Sequence, residues 1–206
     1  MKRGKLFVIS APSGAGKTSL VKALLASEPH LRLSISHTTR TRRPTESDGR
    51  EYHFVSKPQF AQLVQRGEFL EHAQVFDNSY GTARAFVERE LTQGHDVLLE
   101  IDWQGAQQVR RAMPDCVTIF ILPPARAALA ERLARRATDT SEVIRRRLKD
   151  AVGDMSHYRE FDYVVVNDQF EQAVAELKRI VDGHGEELRS DRPQLAPLIA
   201  ELLAAP

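Results

Sequence analysis

Leu6-Phe-Val-Ile9 followed by Ser10-Ala-Pro-Ser-Gly-Ala-Gly-Lys-Thr18 is the stretch on which the fold of this 206-residue chain turns. Four consecutive apolar residues read as a strand buried on both faces, the habit of a parallel strand covered by helices. Gly14 and Gly16 then let the backbone turn so that successive N–H groups point inward, and the helical pattern from Thr18 to Ala26 begins on Lys17. Strand, glycine loop and helix N-terminus together form a phosphate-binding device. The helix end adds its positive dipole. The Lys17 ammonium can bridge the β- and γ-phosphates, and the Thr18 hydroxyl can ligate Mg²⁺. The strict motif asks for glycine where Ala11 stands, a mild departure.

Three further apolar runs extend outward from this one: Val97 to Ile101, Val117 to Leu122, and Tyr163 to Val166. Helical patterns separate them: Gln104 to Met113, Ala125 to Ala137 with Ser141 to Val152, and Phe170 to Val181. Strands alternating with helices predict a doubly wound α/β core with a parallel sheet. The second run ends in Glu100-Ile-Asp102, and strand alternation puts both carboxylates on one face at the C-terminal edge of the sheet. Ligands bind there in α/β proteins. The pair suits a Mg²⁺-water partner and one ligand contact.

From about His37 to Thr92 the rhythm breaks. Turn signals (Arg43-Pro44, Asp48-Gly49, Asp77-Asn78-Ser79) separate short runs such as Tyr52 to Val55 and Phe69 to Val75, and predict a small mixed β/α insert. Ser56, with Gln59 three residues on, is set to cap the helix between those runs. The stretch from Arg126 to about Tyr158 is helical, basic and poor in large apolar residues, so it is expected to pack loosely. In the tail, Leu195, Leu198, Ile199 and Leu202 share one helix face, suited to the core or to a second subunit.

Composition bounds the function. With 29 basic and 28 acidic residues, the net charge is +1 and the pI about 8.0. That balance argues against a nucleic-acid-coating or membrane-surface protein. It hides an excess of arginine: 22 of the 29 basic residues, of which four fall between Arg40 and Arg50 and seven between Arg126 and Arg147. Arginine presents a planar fork matched to phosphate oxygens. The single cysteine, Cys116, lies in an apolar run and reads as a buried small hydrophobe; it rules out a disulfide framework. No apolar stretch approaches ~18 residues and no signal peptide is visible, so the expected location is the cytoplasm. The seven histidines form no ligand cluster, and His37 and His53 read as packing or surface residues.

Several further motifs follow in order: Ser36-His-Thr-Thr-Arg40-Thr-Arg-Arg43-Pro-Thr-Glu46, Gly49-Arg-Glu-Tyr52-His-Phe54, Phe69-Leu-Glu71, Tyr80-Gly-Thr82 and Glu100-Ile-Asp102-Trp-Gln-Gly105. Their co-linear run from the phosphate loop to Asn167-Asp168 resembles the guanylate kinases, the GMP-phosphorylating branch of the P-loop nucleoside monophosphate kinases. Only the tail past about Gly183 is poorly covered. The resemblance implies a P-loop NTPase-type doubly wound sheet with an inserted mixed β/α nucleotide-monophosphate-binding subdomain and a helical lid. It divides one domain into a core (1–36, 93–125, 159–206), a GMP-binding insert (37–92) and a lid (126–158). It implies a kinase that uses ATP and Mg²⁺ to phosphorylate GMP, and dGMP, in purine metabolism.

The resemblance also assigns residues. ATP would be held by Ala11, Pro12, Ser13, Gly14, Ala15, Gly16, Lys17, Thr18 and Ser19, with Asn167 and Asp168 near adenine. Thr18 and, through water, Glu100 would attend the metal. Arg40 and Arg43 would grip the GMP phosphate, with Tyr52 and Tyr80 donating further hydrogen bonds. Glu71 would read guanine, because a carboxylate offers two acceptors to the adjacent N1–H and N2–H₂ donors. Ser36 and Thr82 could donate to O6, and Asp102 could take a further guanine donor. Arg132, Arg136 and Arg147 would join Lys17 and Arg40 in neutralising the transferred phosphoryl group after the insert and lid close and exclude water. Arg132 and Arg136 lie four apart on one helix face, and Asp139 can cap the next helix with Glu142. The implied partners are ATP and GMP, with neither nucleic acid nor membrane, and the tail leaves open a second copy of the chain. Two alternatives stay open: a ribose bisphosphate phosphokinase, which would need no base reader, and a non-catalytic phosphopeptide-binding domain, which would need no Lys17.

Overall fold

A computed structural model describes residues 3–75, 77–134 and 141–204, with residues 141–147 described for their backbone alone. The strands are β1 (Leu6–Ser10), β2 (Leu31–Leu33), β3 (His37–Thr38), β4 (His53–Phe54), β5 (Phe69–Val75), β6 (Asn78–Ala83), β7 (Asp96–Glu100), β8 (Val117–Leu122) and β9 (Tyr163–Val166). The helices are α1 (Lys17–Ser27), α2 (Lys57–Gln65), α3 (Arg84–Thr92), α4 (Trp103–Ala112), α5 (Arg126–Ala134), α6 (Ser141–Ser156), α7 (Phe170–Val181) and α8 (Ala196–Leu203). The chain forms two compact units, one made of the residues up to Val8 with Pro29–Val117, the other of Ile9–Glu28 with Thr118 onward. The division falls within β1.

In the first unit the strand order is β2-β7-β1. β2 runs parallel to β7, with Leu31 opposite Asp96 and Leu33 opposite Leu98. Val97, Leu98 and Leu99 are fully buried, as a strand covered on both faces requires. The break in rhythm after His37 is a second, four-stranded sheet in the order β4-β3-β6-β5. β3 pairs parallel with β4 and antiparallel with β6, and β5 and β6 form an antiparallel hairpin closing between Val75 and Asn78. The capping box foreseen at α2 is present in full, Ser56 and Gln59 exchanging side-chain and backbone bonds. α4 packs on β5.

In the second unit the order is β1-β8-β9, with β8 and β9 in parallel register from Ile119–Tyr163 to Leu122–Val166. α1 buries Leu20, Val21 and Leu24, α7 buries Ala173, Leu177, Ile180 and Val181, and the two helices touch each other. Each such Leu or Ile, fully removed from water, contributes about 1.5–3 kcal/mol. Phe120 packs on Phe161 with ring centroids 4.9 Å apart. Cys116, at the end of the first unit, is buried as expected.

One strand is added to those read from the sequence, and two expectations are corrected. β2 is only three residues long and carries the exposed Arg32, leaving no continuous apolar run to see. The basic helical stretch is not loosely packed where it is described. Leu129 and Leu133 are buried and pack with Ala151 and the partly buried Leu148 in a small core of their own. The tail is not a single helix: Leu195 sits in a one-turn 3₁₀ segment before α8, and α8 packs on α6 of the same chain. No helix among the described residues is long and apolar enough to cross a membrane.

Candidate active site

The phosphate loop lies in the second unit. Gly14 and Gly16 both take left-handed backbone angles, φ 91° and 92°. Side chains disfavour that region, so the two glycines are what let the loop fold back on itself. α1 has Gly16 as its N-cap, with no side-chain cap and no acidic residue in its own first turn. A Cβ at Gly16 would fall 2.4 Å from Asn167 Nδ2. That close approach has a purpose: the Asn167 amide donates to the Ala15 carbonyl at 2.7 Å and pins the loop from the end of β9. Expected near adenine, the buried Asn167 is here a tether of the phosphate loop, while Asp168 beside it is exposed. Arg132 reaches the same point. Its guanidinium donates to the Asn167 carbonyl at 2.9 Å and to the Ala15 carbonyl at 3.4 Å. Arg136, Asp139 and the side chains of Glu142 and Arg147 lie outside the described residues.

The other candidates are in the first unit. Arg40 is held rather than waving: its guanidinium donates to Glu46 Oε1 at 2.7 Å and to the Thr41 carbonyl at 2.9 Å. It also lies 5.3 Å from the Tyr52 ring centre. Glu46 closes the Arg43-Pro44-Thr45-Glu46 turn and also accepts the Arg43 backbone N–H at 2.8 Å. The hydrogen bond from Arg40 holds the Glu46 carboxyl below its ordinary range, and the same bond raises Arg40. Arg43 itself is largely exposed, its guanidinium 3.9 Å from Glu46. Tyr52 and Tyr80 meet edge to face at 5.9 Å. Burial, with Glu100 and Tyr80 adding to it, pushes the Tyr52 hydroxyl up to about 12, so it stays a proton donor throughout the neutral range.

Glu71 is 3% exposed, and Thr82 on the facing strand donates its hydroxyl to Glu71 Oε1 at 2.6 Å. The Thr82 hydroxyl, expected to contact the base, here donates its one proton to the carboxylate and orients it. The pairing depends on a register shift between Phe69 and Glu71, which lets Phe69, Leu70 and Glu71 all be buried in succession. Asp102 caps α4, accepting the Gly105 N–H at 3.0 Å and the Gln104 side chain at 3.0 Å. Ser36 is buried, and its carbonyl accepts the His53 N–H. The His37 and His53 rings stack at 4.7 Å, and burial, then His53, lowers the His37 pKa, in keeping with a packing role.

Sequence reasoning gave no role to Glu46, Gly105 or Gln108. A carboxylate six residues past Arg40 and inside a proline turn follows no local pairing rule. Gly105 is fixed by a long-range approach, since a Cβ there would fall 2.4 Å from Glu71 Oε2.

A phosphate loop opening a helix after a buried strand, on a parallel α/β sheet, defines a nucleotide-binding protein of the P-loop class. The guanylate kinase family profile matches residues 3–184. The chain is 54% identical over 200 residues to a guanylate kinase of Alkalilimnicola ehrlichii, covering 97% of this chain and 98% of that one. It is 54% identical over 203 residues to one of Methylococcus capsulatus, covering 98% and 100%. A crystal structure of guanylate kinase from Anaplasma phagocytophilum superposes with a TM-score of 0.75 at 33% identity, covering 97% of this chain and 95% of that one. The chain belongs to the guanylate kinase family.

Proposed function

We propose that this protein transfers the γ-phosphoryl group of ATP to GMP, giving ADP and GDP, with residues 37–92 binding GMP and residues 126–158 acting as a lid. The observation that carries the reading is the buried Glu71 carboxylate oriented by Thr82. A carboxylate removed from water seeks two donors side by side, and guanine offers them at N1 and N2. Adenine presents an acceptor at N1 and meets repulsion. Asp102 adds a second acceptor, and Ser36 a hydroxyl. Arg40, aimed by Glu46, and Arg43 take the GMP phosphate, assisted by the Tyr52 and Tyr80 hydroxyls.

On the ATP side, the loop from Ala11 to Ser19 wraps the phosphates with backbone N–H groups, Lys17 bridges β and γ, and Asn167 holds the loop's shape. Arg132, Arg136 and Arg147 meet the charge that spreads over the phosphoryl group as it moves. The reaction requires positioning and electrostatics more than a protein base. The Thr18 hydroxyl and, through water, the Glu100 carboxylate would hold Mg²⁺, each being an oxygen donor of the kind that cation takes. Among the described residues no cluster of three or more His, Cys, Asp or Glu forms a cage, and a cation bound chiefly through substrate phosphates needs none. When bound, it would supply positive charge that offsets the negative charge of the phosphates. We take the working location to be the cytoplasm, where ATP and GMP are supplied.

A coupled assay with ATP, Mg²⁺ and one acceptor at a time tests the reading. Turnover with GMP, and far less with AMP, dTMP or ribose 1,5-bisphosphate, is expected. A lack of GMP turnover, or a preference for the ribose bisphosphate, would overturn it.

A further inference from the structure

β5 is the last strand in its sheet, so among the described residues its outer edge has no strand partner. One residue past Glu71 that edge is met by a side chain instead. The Gln108 carboxamide accepts the His72 backbone N–H at 3.1 Å and donates to the His72 carbonyl at 2.8 Å. It thus does what a neighbouring strand would do, through two opposed bonds to one residue. A single bond would let β5 pivot; two at fixed separation set both its distance from α4 and its position along the helix.

The placement matters because of what surrounds it. The β5–β6 register shifts between Phe69 and Glu71, so the ladder to β6 is least regular where Glu71 must be aimed. α4 also carries Gly105, which makes the close approach to Glu71, and begins on Asp102. Asp102, Gly105 and Gln108 are spaced at three-residue intervals along one helix. We infer that Gln108 is a positioning residue for guanine recognition: by docking α4 onto the His72 backbone it fixes the separation of the two guanine-reading carboxylates, Glu71 and Asp102. This rests on the reading of Glu71 as the base reader.

Gln108→Leu and Gln108→Met keep the bulk and remove both bonds. Each is expected to raise the KM for GMP about tenfold, with kcat and the KM for ATP near wild type, since a misplacement of this size weakens positioning of one substrate. IMP lacks the N2 amine, so the preference for GMP over IMP should narrow in both variants as the carboxylates lose their spacing. Unchanged GMP kinetics and selectivity would overturn the inference, as would a fall in Tm with the GMP/IMP ratio intact. Glu71→Gln, measured in parallel, separates the two claims. If it too leaves GMP use unchanged, the base-reader reading fails; if it impairs GMP while the Gln108 variants do not, only the role of Gln108 fails. Should both variants misfold, amide hydrogen exchange on the unaltered protein decides: the His72 N–H should be protected although the residue is exposed, and rapid exchange there would overturn the inference.

Discussion

The phosphate loop and the insert from His37 to Thr92 are built from different materials. The loop is made of backbone: two glycines at positive φ, an uncapped helix start, and a carbonyl pinned by Asn167. The insert is made of side chains held by other side chains: Glu46 holds Arg40, Thr82 holds Glu71 and Gln108 holds the strand beneath. A backbone site reads charge and shape, which every nucleoside triphosphate shares. A side-chain site can match the donors and acceptors of one base. The difference predicts that damage to the loop removes chemistry, whereas damage to the insert removes selectivity.

The largest effect should come from Lys17→Ala. Loss of a preorganised positive donor at the transferred group is expected to lower kcat about a thousandfold, while GMP binding measured by calorimetry stays close to wild type. An equal loss of GMP binding would break the contrast. Next, Glu71→Gln replaces an acceptor facing guanine with a donor, and kcat/KM for GMP should fall roughly a hundredfold with the KM for ATP nearly unchanged. If both substrates suffered alike, the insert would not be the selective half.

Thr82→Val is nearly isosteric and removes only the 2.6 Å bond to Glu71. It should raise the KM for GMP about tenfold, as expected for losing one charge-assisted bond in a buried setting. Glu46→Gln should have the smallest effect, a rise of about threefold to fivefold in the KM for GMP, because Arg40 keeps its bond to the Thr41 carbonyl. It carries a pH signature. The folded Glu46 carboxyl lies below its ordinary range because Arg40 hydrogen-bonds to it. The order it confers is therefore complete above the ordinary carboxylate pKa and lost as pH falls through the lowered value. GMP affinity followed by calorimetry from neutral pH downward should show that acid limb in the unaltered protein, and Glu46→Gln should flatten it.

How much of each region could be read in advance follows from the same contrast. The loop is a local object: strand, glycines, lysine and helix start occupy Leu6 to Thr18 without a gap, and β8, β9 and α7 were equally plain in their apolar runs. The capping box at Ser56 was visible for the same reason, since its partners are three residues apart. The insert showed its residues but not their relations. The family resemblance placed Thr82 at the base, but residue order carries no sign of its bond to Glu71. Its donation to Glu71 depends on a hairpin register with a shift in it. β2 was missed because three residues with an exposed arginine leave no pattern.

Residue order thus sufficed for the α/β class, the phosphate loop, the insert between buried strands and, through the run of motifs, the family. Local hydrogen bonding and hydrophobic periodicity act over a few residues and leave their mark there. Folding alone decided that Asn167 is a tether, that Thr82 aims Glu71, that Glu46 aims Arg40, and that Gln108 stands in for a strand beside His72, 36 residues away. Those pairings depend on directions in space, which long-range packing creates and no neighbour in the chain can announce.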